Sequence, residues 1–236
     1  MNWLRRLPEA PITSVLLLIN LVVFVAMALV GHQWFAFGTE TLLRAGANLV
    51  PGPGVTVDVS HWRWLTAAFI HVNLVHLLMN MMVLVQLGVL SERFVGGGLL
   101  ALAYVVTGVS GNLSSSIWAA SHGNQLLSAG ASGAIMGLLG MVAVLAWIAD
   151  LKPLAKALLR NAAFIIALGV ALSLSGRGLI DNGAHVGGLL TGAGIGWARA
   201  RIRRPIPRPA NWFLAAGGFA LTLAAFVSII AAGGRR

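Results

Sequence analysis

Four side chains in this 236-residue chain have the types and spacing for acyl transfer: Ser132, His185, His76 and Asn80. Gly130-Ala131-Ser132-Gly133 opens an apolar run over 134–149, which puts a hydroxyl at the first turn of an apolar helix. Asn182-Gly183-Ala184-His185 opens another such run with an imidazole. Neutral imidazole can take the hydroxyl proton as the oxygen attacks a carbonyl, then return it to the leaving amine. Asp181, four residues before His185, falls in a connecting loop and reads as capping or solvating that helix end, with orientation of His185 as the lesser alternative. The reading is therefore a Ser132–His185 dyad. His76 and Asn80 are four apart and share one helix face. Their N–H groups could converge with the Ser132 backbone N–H on a developing oxyanion. Each residue also has a quieter reading. A serine at a helix start is commonly an N-cap, and His76 and Asn80 could serve as hydrogen-bonding glue between helices.

The elements that must position these groups are membrane spans. Charged residues make up 9% of the chain and hydrophobic types 58%, the balance of a polytopic membrane protein. Apolar runs fall at about 13–30, 64–90, 95–118, 134–149, 154–174, 185–198 and 212–232, close to the ~20 residues a bilayer requires, with the sixth rather short. The expected fold is an all-α bundle of about seven transmembrane helices. The first run is longer than a signal-peptide core and reads as a retained span. Residues 31–65 form the one long non-spanning segment. Trp34, Phe35, Phe37, Trp62 and Trp64 suit it to the membrane interface, and Pro51-Gly52-Pro53-Gly54 supplies turns.

The net charge of +10 does not indicate nucleic acid, because the basic residues sit between apolar runs, where they set orientation. An N-terminus on the cytoplasmic side leaves 11 of the 16 Lys and Arg residues there and only Arg44, Arg63, Arg177, Arg235 and Arg236 outside. Ser132, His185 and His76 then all lie toward the outer leaflet. Gly188, Gly192 and Gly196 repeat every fourth residue, and Gly133, Gly137 and Gly140 give the serine helix a comparable smooth side. Small residues so spaced let two backbones approach closely.

Other chemistries lack their residues. There is no cysteine for disulfides, thiolate catalysis or thiolate metal sites. No His-Glu-x-x-His occurs, and His71 and His76 are five apart, off the ligand spacing. His71 reads as facing a cavity mouth or a neighbouring helix. No aspartate pair falls within spans, and no cofactor is expected. A transporter could line its path with His and Asn, but the two halves show no repeat of broken helices.

These residues resemble the rhomboid intramembrane serine proteases over about 62–196. The resemblance rests on Trp62-Arg63, His76-x-x-x-Asn80, Glu92-x-x-x-Gly96, Gly130-x-Ser132-Gly133 and Ala184-His185-x-x-Gly188, in that order. It implies a serine endopeptidase with a water-filled cavity open to the outer face. Ser132 would be the nucleophile and His185 the base, with His76, Asn80 and the Ser132 amide forming the oxyanion hole. Substrates would be single-span membrane proteins cut near the outer face, and no cofactor or metal is implied. Trp62, Arg63 and Glu92 would be structural anchors. Residues 1–204 would form the six-helix core with its interfacial loop (31–65), and 205–236 a basic, proline-rich hinge and an added helix. A bacterial inner membrane is the expected location. Met136 stands where the family often carries an aromatic under the histidine ring. The alternative is a catalytically inactive relative that binds transmembrane helices without cutting them.

Overall fold

The computed structural model describes residues 3–50, 61–175, 180–202 and 207–233. Seven long helices dominate it: α1 (Pro11–Gly31), α4 (Leu74–Val95), α5 (Gly97–Ser121), α6 (Ser132–Ile148), α7 (Lys152–Leu174), α8 (Asn182–Arg201) and α9 (Arg208–Gly233). Two short helices, α2 (Thr39–Ala45) and α3 (Arg63–Thr66), lie between α1 and α4. Helices α1, α4, α5, α7 and α9 are long and apolar enough to cross a membrane. The 17 residues of α6 span about 25 Å at 1.5 Å per residue. That length is less than a bilayer's hydrocarbon core, and α6 is accordingly the central helix, surrounded by α4, α5, α7 and α8. The fold is an all-α polytopic membrane bundle.

The second apolar run does not form one helix from residue 64. The chain makes α3, a single 3-10 turn at Ala67–Phe69, then extended backbone, and α4 begins only at Leu74. Asn73 sets that start, since its side-chain oxygen accepts the His76 N–H at 2.7 Å. The extended stretch is held by Phe35 and Phe37, through Leu74 N–H to the Phe35 carbonyl and Phe37 N–H to the Val72 carbonyl, both 2.9 Å. The residues here are apolar enough to continue a helix, but their backbone groups are bonded sideways instead. The Pro51–Gly54 turn string lies outside the described residues.

Two of the expected anchors are visible. The Glu92 carboxylate, at the end of α4, caps the first turn of α1. It accepts Ile12 N–H at 3.0 Å, Thr13 N–H at 2.9 Å and the Thr13 hydroxyl at 2.8 Å. A negative group here satisfies orphan donors and complements the helix dipole. Arg63 donates from Nη1 to the carbonyls of Leu43 (2.9 Å) and Ala47 (3.0 Å), with its guanidinium over the Trp62 ring at 4.6 Å. This pins the loop after α2 to α3. Beyond it, β1 (Asn48–Val50) pairs antiparallel with β2 (Leu126–Ser128), just ahead of α6.

The seam between α6 and α8 is made of backbone. A Cβ on Gly188 would fall on the Gly133 carbonyl, one on Gly192 on the Gly137 carbonyl, and one on Gly140 on the Leu189 carbonyl. Helix α9 lies against α5 and reaches α3, and its Phe226 ring meets Phe69 edge-on at 6.2 Å.

Substituting Gly192→Ala should therefore lower stability by about 1–3 kcal/mol through overpacking. Gly194, on the same helix but with open space where a Cβ would stand, is the control. Thermal melts in detergent should show a lower midpoint for Gly192→Ala and no loss for Gly194→Ala.

Candidate active site

The turn entering α6 is held by two hydrogen bonds and a backbone conformation suited to glycine. Gly130 has φ +141, a conformation that side chains disfavour. Its N–H bonds the Ala67 carbonyl at 2.9 Å, and the Ala131 N–H points to His71 Nε2 at a long 3.5 Å. His71 is fully buried and packs edge-on to the His76 ring, centroids 5.3 Å apart. It therefore braces the loop ahead of α6 from inside the bundle, not from a cavity mouth. The apolar run over 64–90 would put His71 within a helix, whereas it lies ahead of α4. Asn73, a typical helix-starting residue three positions before His76, was the signal that the helix begins later.

Ser132 is the first residue of α6, and Ala131 occupies the cap position with no side-chain cap bond. The serine is therefore not acting as an N-cap. The N–H groups of the first turn have no partner within the helix, as at any helix start. A Cβ on Gly130 would stand 2.7 Å from His76 Cε1, 3.0 Å from His76 Nε2 and 3.7 Å from Ser132 Oγ. The His76 imidazole and the Ser132 hydroxyl thus both lie next to the same glycine.

His185 comes to this place through the α6–α8 seam. A Cβ on Gly133 would stand 3.4 Å from the Ala184 carbonyl oxygen and 3.6 Å from Ala184 Cβ. The residue after Ser132 therefore lies close beside the residue before His185. His185 is 6% exposed, while Ser132 and His76 keep part of their surface open. Among the described residues, no hydrogen bond joins Ser132 Oγ to the His185 ring, and His185 Nδ1 is buried without a partner. Such contacts are often loose without substrate and tighten when it binds.

Asn80 lies one turn beyond His76 on α4, is 6% exposed, and donates Nδ2 to the His76 carbonyl at 2.9 Å. One of its two amide hydrogens is thus committed to its own helix, and the other has no partner among the described residues. Asp181 does cap α8, accepting Ala184 N–H at Oδ1 (2.9 Å). Its carbonyl accepts the His185 N–H at 3.1 Å, but among the described residues its carboxylate makes no hydrogen bond to the His185 ring. Its second oxygen accepts from Ser115 Oγ (2.5 Å) and Ser128 Oγ (2.6 Å), partners that the sequence offered no pattern to pair with it. Met136 is buried, 2% exposed, one turn into α6 from Ser132.

Comparison with known proteins finds relatives of this chain. A family model described as the Rhomboid domain matches residues 59–202. The chain is 33% identical over 156 residues to the rhomboid protease GluP of Bacillus subtilis, covering 65% of this chain and 28% of that protein. It is 34% identical over 137 residues to the mitochondrial RHOMBOID-like protein 6 of Arabidopsis thaliana, covering 58% of this chain and 43% of that protein. To the rhomboid protease GlpG of Photorhabdus laumondii it is 27% identical over 205 residues, covering 81% and 63%. The chain thus spans less than half the length of the first two.

The packing at Gly130 yields a direct test. Gly130→Ala combines a disfavoured φ with collision against the His76 ring, at a cost of about 1–3 kcal/mol. Amide hydrogen exchange should quicken at Ala131 and Ser132 in this variant while the α6–α8 seam stays protected.

Proposed function

From a chain that belongs to the rhomboid family, we propose an intramembrane serine endopeptidase working through a Ser132–His185 dyad. The observation that carries the reading is the close approach of Gly133 to Ala184, which brings the two helix starts together near the His76 ring. Ser132 Oγ attacks the peptide carbonyl as its proton passes to the His185 ring. The tetrahedral oxyanion is met by the Ser132 N–H, the His76 ring and the free amide hydrogen of Asn80. Collapse breaks the C–N bond, His185 gives its proton to the departing amine, and an acyl-enzyme remains on Ser132. Water, deprotonated by His185, then releases the new carboxylate. The chemistry requires no metal or cofactor.

The substrates in this reading are single-span membrane proteins, cut where a helix end unwinds near the outer face. The charge distribution supports an N-terminus in the cytoplasm and a site toward the outer leaflet. It fits a bacterial inner membrane, with 1–204 as the catalytic core and 205–236 as the hinge and added helix. A second reading, an inactive relative that binds transmembrane helices, draws on the missing Ser132–His185 hydrogen bond.

Ser132→Ala and His185→Ala should each abolish cleavage of a single-span substrate in proteoliposomes while the melting temperature holds. A fluorophosphonate should label the wild type and not Ser132→Ala. An unlabelled, inactive but folded wild type would select the binder. His76→Ala or Asn80→Ala should slow cleavage by about 10²–10³-fold if both donate to the oxyanion, and an unchanged rate would return them to packing.

A further inference from the structure

Asp181 joins the two arms of the site with one carboxylate. Oδ1 accepts Ala184 N–H at 2.9 Å and so fixes the first turn of α8, immediately before His185. Oδ2 accepts Ser128 Oγ at 2.6 Å, at the end of β2 and four residues before Ser132. The Ser115 hydroxyl on α5 donates to the same oxygen at 2.5 Å and anchors the carboxylate from the side. Ser128 is 5% exposed and lies 3.2 Å from Asn112 Oδ1, while Asn112 Nδ2 donates to the Trp64 carbonyl at 2.9 Å. The strand end is therefore part of a polar network that runs from α8 through α5 to α3.

Below the site, the glycine seam fixes how far α6 stands from α8. Above it, β2 and the α8 start come from separate connections, and this carboxylate bridges them. A helix cap alone would not need this arrangement, because serine or asparagine caps as well with a single oxygen. The second oxygen does something else. Its hydrogen bonds are part-buried, with both serine partners inside the protein, where charge-assisted contacts are stronger and more directional than in water.

We propose that Asp181 is a positioning residue, which holds the Ser132 loop against the His185 helix through Ser128 and Ala184. It touches neither substrate nor the reacting atoms, and the inference rests on the dyad reading above. Small displacements of a nucleophile from its base cost rate steeply, about 10²-fold for 1 Å.

Asp181→Ser keeps a capping oxygen for Ala184 and loses the reach to Ser128, and Ser128→Ala removes the same tie from the other end. Both should lower kcat for a single-span substrate, and the rate of fluorophosphonate labelling, by about 10–100-fold with KM little changed. Because the two act through one hydrogen bond, the double variant should be no slower than the slower single variant. Wild-type labelling rates in both single variants, or effects that multiply in the double variant, would overturn the inference. If Asp181→Ser does not fold, Ser128→Ala decides alone: slowed labelling supports the tie, and an unchanged rate rejects it. Failure of the wild type itself to label at Ser132 would instead reject the dyad, so the two failures are distinct.

Discussion

The approach of α6 to α8 along their glycines is the constraint on which the rest of the molecule turns. In lipid there is little hydrophobic gain in bringing two apolar helices together, so close van der Waals packing has to supply the association. Gly188 against the Gly133 carbonyl, Gly192 against that of Gly137 and Gly140 against that of Leu189 let backbone meet backbone. Side chains could have changed rotamer at such a seam, but backbone cannot. The separation of the two helices that carry Ser132 and His185 is therefore set by the main chain along this seam.

Around that seam, polar groups are spent on positions the glycines do not control. Glu92 closes the start of α1, Arg63 ties the α2 loop to α3, and Asn73 starts α4 at the turn that carries His76. Tyr104 adds another, its hydroxyl donating to the Ala68 carbonyl at 3.1 Å beside the turn that receives Gly130. Each satisfies a backbone group that an irregular stretch or a helix end would leave bare inside the bundle. The irregular chain at 67–73 survives at this depth because it is wrapped by protein.

Much of this was legible in the sequence because it is periodic. The spacing of Gly188, Gly192 and Gly196, the serine and histidine at the starts of apolar runs, and the cap at Asp181 are local patterns that a helix reads out directly. The late start of α4 was not legible in the same way. Ile70, Val72 and Leu74 are as apolar as a span, and hydropathy does not separate a buried extended strand from a buried helix. The loop bracing by His71 and the pairing of Asn48 with Ser128 depend on contacts 60 and 80 residues apart in the chain. No local rule reports them. Asp181 stands between the two cases, with one oxygen serving its own helix and the other serving distant partners.

The Glu92 carboxylate bears on how the chain is built. It serves a helix end about 80 residues upstream, so on a ribosome adding 5–20 residues per second the first span waits about 4–16 s for its partner to be made. Until then the N–H groups of Ile12 and Thr13 must be met by interfacial water or lipid headgroups. Release of that borrowed solvation when α4 arrives couples docking of the first span to synthesis of the α4–α5 turn.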